Sequence, residues 1–194
     1  DPVFFPGGDI GSLAVHGTVN DLAMCGARPL HLSAGFILEE GFPLADLRRI
    51  AMSMGQAAAN AGVSVVTGDT KVVDRGKADR IFINTAGIGI VPDGMEIAPT
   101  RAAPDDLVLI NGEIAVHGIA IMSVREGLQF ETEMVSDSAS LHELVAAAVD
   151  VAGSHLHVLR DPTRGGVASA LNEIAMAAGL SIELEERTIP INEA

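Results

Sequence analysis

VVTGDTKVVDRGKAD, residues 65–79, sets the reading of the fold. The β-branched run from Val63 to Thr67 has the length and composition of a short buried strand, and Gly68, Asp69, Thr70 and Lys71 follow it at once. Ligand sites in α/β sheets favour the carboxyl ends of strands, so this order puts a carboxylate, a hydroxyl and an ammonium where a substrate is expected. Lys71 in that position can neutralise a transferring phosphate, or act as acid or base once desolvated. A solvated turn with an incidental ion pair is the alternative reading.

Outward from this stretch, helices and strands alternate, with Gly and Pro between them, which gives an α/β or α+β fold with sheets flanked by helices. Asp9 caps a helix expected from Ile10 to about Gly26. Residues 30–38, LHLSAGFIL, suit a strand. Leu44, Leu47, Ile50, Met54, Ala58 and Ala61 recur at helical spacing between Pro43 and the stop at Gly62. Ile81–Val91 reads as a strand in which Gly87 and Gly89 mark a bulge or a close backbone approach. Residues 92–106 hold three prolines and read as an interdomain connection, dividing the chain into domains 1–98 and 99–194. Beyond it, strands are expected at Leu107–Asn111, Leu156–Leu159 and Ser181–Glu185. Helices are expected at Gly118–Arg125, Leu141–Val151 (with a Ser140/Glu143 capping box) and Gly166–Ala178.

Composition narrows the function. Twelve Lys and Arg against 26 Asp and Glu give a formal charge of −14, which supplies no basic patch for nucleic acid or an anionic membrane. Phosphate must be held locally, by backbone amides, a few placed cations or a metal. No run approaches the roughly 20 apolar residues of a membrane span, and Cys25, the single cysteine, has no disulfide partner. A soluble, cytoplasmic protein is expected, with Cys25 as a small core residue and His155 and His157 as structural residues on one strand face.

Three further junctions carry ionisable groups. Pro6-Gly7-Gly8-Asp9 leads into a helix, where free amides favour an anion, although a tight turn capped by Asp9 has the same signature. Asn20 and Asp21 interrupt an apolar helix; their oxygens suit Mg²⁺, which Asp69 can share, and a water-facing turn explains them equally. Arg160, Asp161, Thr163 and Arg164 precede Gly165-Gly166 at another helix start, a second anion cradle or a plain Asp-Pro turn.

In this order, FFPGGDIG (4–11), residues 17–43, VVTGDTKVVDRGKAD, IFINTAGIG (81–89), VSDSA (135–139) and LRDPTRGGVASALNEIA (159–175) closely resemble the HypE family of hydrogenase maturation proteins. That family lies in the aminoimidazole ribonucleotide synthetase-like superfamily. The resemblance implies two α/β domains, the first pairing with its copy in a homodimer to form a shared barrel, with ATP near the interface. It implies Asp21 and Asp69 as Mg²⁺ ligands. Gly7, Gly8, Asp9, Asn20, Asp69, Thr70, Asp161, Thr163, Arg164, Gly165 and Gly166 would lie around the nucleotide, with Lys71 in phosphate or carbamoyl chemistry. The implied activity is ATP-dependent dehydration of a carbamoyl group on a C-terminal cysteine to a thiocyanate, the source of the cyanide ligands of [NiFe]-hydrogenase. The implied partners are the carbamoyltransferase HypF and the HypC–HypD scaffold. An upstream Thr-Asp-Ser element, a downstream Asn-Glu-Gly-Lys element and the tail cysteine fall outside these residues, so the chain reads as truncated at both ends.

Two departures matter. Ala115-Val116-His117-Gly118 stands where the family has Gly-Asp-His-Gly, and His16 stands where a cysteine is common. A superfamily small-molecule kinase or synthetase is the enzymatic rival, and a non-catalytic nucleotide-binding assembly module the other.

Overall fold

The computed structural model describes residues 2–127 and 134–191. A two-stranded antiparallel ribbon, β1 (Phe4–Phe5) and β2 (Gly8–Asp9), leads into helix α1 (Ile10–Met24). Strand β3 (Arg28–Glu39), helix α2 (Leu44–Asn60), and strands β4 (Ser64–Val73) and β5 (Ile81–Ile90) follow. The three long strands form one mixed sheet in the order β4-β3-β5, with β4 parallel and β5 antiparallel to β3. Helices α3 (Val116–Glu126), α4 (His142–Ala152) and α5 (Gly166–Ala178) make up the regular structure described beyond residue 106, apart from short 3₁₀ turns.

The core lies between one sheet face and α1 with α2. Val15 and Val19 of α1 meet Leu32 and Ala34 of β3 and Met54, Ala57 and Ala58 of α2, all buried. The helical stripe expected on α2 therefore faces inward, except that Leu44 at its first turn is exposed. Both expected strand glycines are used. A Cβ on Gly87 would lie 2.8 Å from Leu22 and Leu32, and one on Gly89 would lie 2.6 Å from the Arg28 carbonyl oxygen.

Several expectations are corrected. β4 does not stop at Thr67; Gly68 to Val73 continue it, because β3 offers hydrogen-bonding partners as far as Glu39. Nor is it buried: it is an edge strand, exposed along nearly its whole length. Leu107–Asn111, Leu156–Leu159 and Ser181–Glu185 pair with no strand among the described residues, and an apolar or alternating run makes no strand without a ladder. His155 sits in a 3₁₀ turn, and His157 binds Asp106 at 2.9 Å. The α4 N-cap is Leu141, with no side-chain cap, so the Ser140/Glu143 capping box does not form. Cys25 is exposed, since α1 ends one residue before it and turns it out of the core.

Residues 92–106 are fastened rather than loose. Met95 and Ile97 pack against Gly26 at the end of α1, where a Cβ would come within 2.9 Å of Met95. On the other side, Ala98 N donates to the His157 carbonyl at 3.2 Å, and Arg101 donates to the carbonyls of Glu96, Ser154 and Leu156.

Candidate functional site

Each expected junction can be followed to its place. At the first, Asp9 is buried and caps α1: its Oδ1 accepts from Gly11 N at 2.8 Å, Ser12 N at 3.1 Å and Ser53 Oγ at 2.8 Å. The amides expected to cradle an anion already have a carboxylate. Gly7 has φ +93 and packs on residues 135–136, where a Cβ would lie 2.8 Å from the Ser136 oxygen. Pro6 O accepts from Ser136 N at 2.9 Å. The loop is a seat for the chain's own residues, with the Gly11 and Ser12 amides taken by Asp9 and Pro6 O by Ser136.

Asn20 is likewise committed. Its Nδ2 donates to the Ala139 carbonyl at 3.0 Å, and its Oδ1 accepts from Leu141 N at 2.8 Å. Asp21, next in the helix, turns toward the fourth junction. Its pKa is raised, first by desolvation and then by the Asp161 carboxylate, with Arg160 opposing. Arg160 pairs with Glu173 at 2.9 Å and lies 3.8 Å from Asp161. The Asp161 carboxylate near Asp21 disfavours the charge on Asp21, and such hard oxygens are a set that a divalent cation would relieve. The residues fit Mg²⁺ in this respect. The partner brought to Asp21 is Asp161.

Asp69 lies elsewhere. Thr85 donates from Oγ1 to the Ala14 carbonyl of α1 at 3.1 Å, and Gly87 meets Thr18 and Leu22, so these β5 residues mark the helix-covered face. In the ladder, Thr85 pairs with Ala34 and Ala34 with Gly68, which puts Gly68 and Thr70 on that face and Asp69 and Lys71 on the opposite one. The sheet therefore separates Asp21 from Asp69, and one chain does not bring this expected metal pair together. Among the described residues no three His, Cys, Asp or Glu side chains converge in a way that could hold a metal. Asp69 Oδ1 accepts from Thr70 N at 2.8 Å, and Lys71 shares its row with Ile37 and Phe82. That face is bare: Ile37, Phe82 and Ile88 are 42%, 50% and 63% exposed.

The start of α5 contrasts with that of α1. Its N-cap, Gly165, is left-handed at φ +71 and offers no side-chain cap, while Thr163 and Arg164 are exposed beside it. The first turn of α5, next to Asp161, Arg160 and Arg164, thus lacks the side-chain cap that closes the start of α1.

The same chain matches the AIR synthase related protein N-terminal domain over residues 1–91 and the AIR synthase related protein C-terminal domain over residues 103–194. The chain belongs to the AIR synthase-related family and, within it, to the HypE proteins. Carbamoyl dehydratase HypE of Rhizobium leguminosarum bv. viciae is 60% identical over 190 residues, 98% of this chain and 54% of the relative. A HypE–HypF complex contains a chain matching with TM-score 0.97 and 54% identity, over 100% of this chain and 63% of that one. A HypE structure in complex with ATP matches with TM-score 0.96 and 54% identity, over 100% and 57%. The chain spans about half the length of the curated relatives it matches. The two-domain architecture expected from the loops is that of this family. No helix among the described residues is long and apolar enough to cross a membrane.

Sequence reasoning missed His117 and Ser136, which bind each other at 2.8 Å against the Gly7 loop. The signal was available in the polar run Ser136-Asp137-Ser138, whose hydroxyls have no other evident use.

Proposed function

We propose that the chain is the core of an ATP-dependent carbamoyl dehydratase of hydrogenase maturation, working with Mg²⁺. The observation that carries the reading is that Asp21, from the N-terminal half, lies near enough to Asp161 and Arg160 of the loop that opens α5 to respond to their charges. The uncapped amides and Arg164 would hold phosphate oxygens, and Asp21 with Asp161 would hold the cation. Two relatives fit the reading, one named carbamoyl dehydratase and one crystallised with ATP.

In the proposed reaction the amide oxygen of a tail-bound thiocarbamate takes the γ-phosphoryl group and ADP leaves. The amide nitrogen then loses its two protons as the C–O bond breaks, giving the thiocyanate and inorganic phosphate. Lys71 has the charge to steady the phosphorylated oxygen, and its exposed row beside Ile37 and Phe82 places it on the bare sheet face. That face is the one we assign to the homodimer, a second copy covering Ile37, Phe82 and Ile88 and bringing Asp69 and Lys71 to a shared site. A HypF-type carbamoyltransferase would load the tail, and a HypC–HypD-type scaffold would receive the cyanide. We place the domain boundary at residues 98/99 and the activity in the cytoplasm.

The test is the full-length protein with a carbamoylated tail cysteine and Mg-ATP. Lys71→Ala and Asp69→Ala should each lower thiocyanate formation by about 100-fold, the usual cost of removing a positioned charge from a transition state. Undiminished formation in both removes this face from the reaction.

A further inference from the structure

Residues 135–141 lie outside the proposed chemistry, yet Ser136, Ser138, Ala139 and Leu141 each make a polar contact with the rest of the chain. Ser136 is only 9% exposed; its N–H goes to Pro6 O, and its Oγ lies 2.8 Å from His117 Nδ1. Ser138 Oγ lies 3.0 Å from His16 Nδ1. Asn20 takes the Ala139 carbonyl and the Leu141 N–H. His16 and Asn20 are four residues apart, one turn along the same side of α1, and Asp21 is the next residue. From Leu141 the chain enters α4, which packs on α1, and then runs through the 3₁₀ turn Gly153–His155 toward Asp161.

The hydrogen bonds also have a direction. Ser136 Oγ accepts from Ser138 N at 3.1 Å, so its own buried proton needs an acceptor, and His117 Nδ1 is the one in place. That assignment puts the His117 proton on Nε2. The imidazole is further held by the Phe5 ring, edge-on at 5.4 Å and 80°. His117 sits at the start of α3 and Phe5 in β1, so this contact joins the two halves of the chain.

We propose that His117 and His16 are positioning residues. His16, through Ser138, clasps the 135–141 strap onto α1, while His117, through Ser136, holds the same strap to α3 and the Gly7 loop, and together they set how closely the Arg160–Gly166 loop approaches Asp21. The consequence for binding rests on the reading of that cleft as the Mg-ATP site, whereas the clasp itself stands on the contacts above.

The experiment uses the full-length protein carrying His117→Ala, His117→Asn or Ser136→Ala, with circular dichroism to confirm folding. The dissociation constant for Mg-ATP should rise about tenfold in His117→Ala and Ser136→Ala, as expected for one buried hydrogen bond, with kcat changed much less. His117→Asn, whose side-chain oxygen can accept from Ser136, should return it to within about twofold of wild type. Amide exchange at Ser136, Ser138, Leu141 and Thr163, each N–H of which has a hydrogen-bond partner, should quicken by about tenfold in His117→Ala and recover in His117→Asn. The wild-type ¹⁵N imidazole spectrum should show His117 with its proton on Nε2. Unchanged exchange in folded His117→Ala overturns the clasp, whatever the nucleotide data. Quickened exchange with unchanged Mg-ATP affinity overturns the link to Asp21. Failure of the wild type to bind Mg-ATP sinks the assignment of the cleft, and the exchange and imidazole results then decide the clasp alone.

Discussion

Gly7-Gly8 and Gly165-Gly166 look alike in the sequence, each a glycine pair before a helix, but they end in opposite uses. The first is closed. Asp9 occupies the α1 amides and Ser136 sits against Gly7, so left-handed backbone there serves internal packing. The second has no side-chain cap and exposed neighbours, Arg164 among them, so its left-handed backbone closes on no carboxylate of its own. A glycine pair at a helix start is therefore no sign of ligand binding until the cap is accounted for.

The contrast can be broken from either side. The largest effect is expected for Gly7→Ala, which combines φ +93 with overlap on Ser136; it should cost about 3 kcal/mol in urea unfolding without touching the α5 loop. Gly165→Ala carries strain at φ +71 and contact with Ser169, whose Cβ would lie 2.6 Å away. It should cost about 2 kcal/mol and, unlike an exposed α5 substitution such as Ala168→Ser, weaken Mg-ATP binding in calorimetry. Asp9→Ala should cost about 1.5 kcal/mol, the loss of a cap, while Mg-ATP affinity stays within about twofold; a large loss of affinity would return the first loop to the ligand.

The smallest effect concerns acid. Burial pushes the His16 pKa below its ordinary value of 6.5, so the unfolded chain takes up this proton first. Stability tied to His16 is present above that value and lost as pH falls through it toward the lowered folded value. Protection of the Ser138 amide, corrected for the intrinsic exchange rate, should fall over this range in the wild type, and that fall should be absent in His16→Gln. If the α5 start loosens in parallel, the two junctions are not independent.

How much of this was legible follows from range of interaction. The helices announce themselves through period and caps: Asp9, the Ile50-Met54-Ala58 stripe and Gly179 all act within a few residues. The extent of β4 was misjudged because strand length is set by the partner, and β3 continues to Glu39. The expected strands beyond residue 106 failed for the same reason, lacking partners among the described residues. In the site, Asp21 and the Arg160–Gly166 loop were legible as charged groups at helix positions, and the start of α5 carries no side-chain cap. What no local pattern revealed is which carboxylate faces which. The side of the sheet that Asp69 occupies depends on register, and a single residue of slip would reverse it.

The connection at residues 92–106 bears on the thermodynamics of binding. With Met95 and Ile97 seated on Gly26 at one end and Ala98, Arg101 and Asp106 tied to residues 154–157 at the other, it has little conformational entropy left to lose. A ligand joining the two halves meets walls already ordered, and more of its contact energy is expressed as affinity.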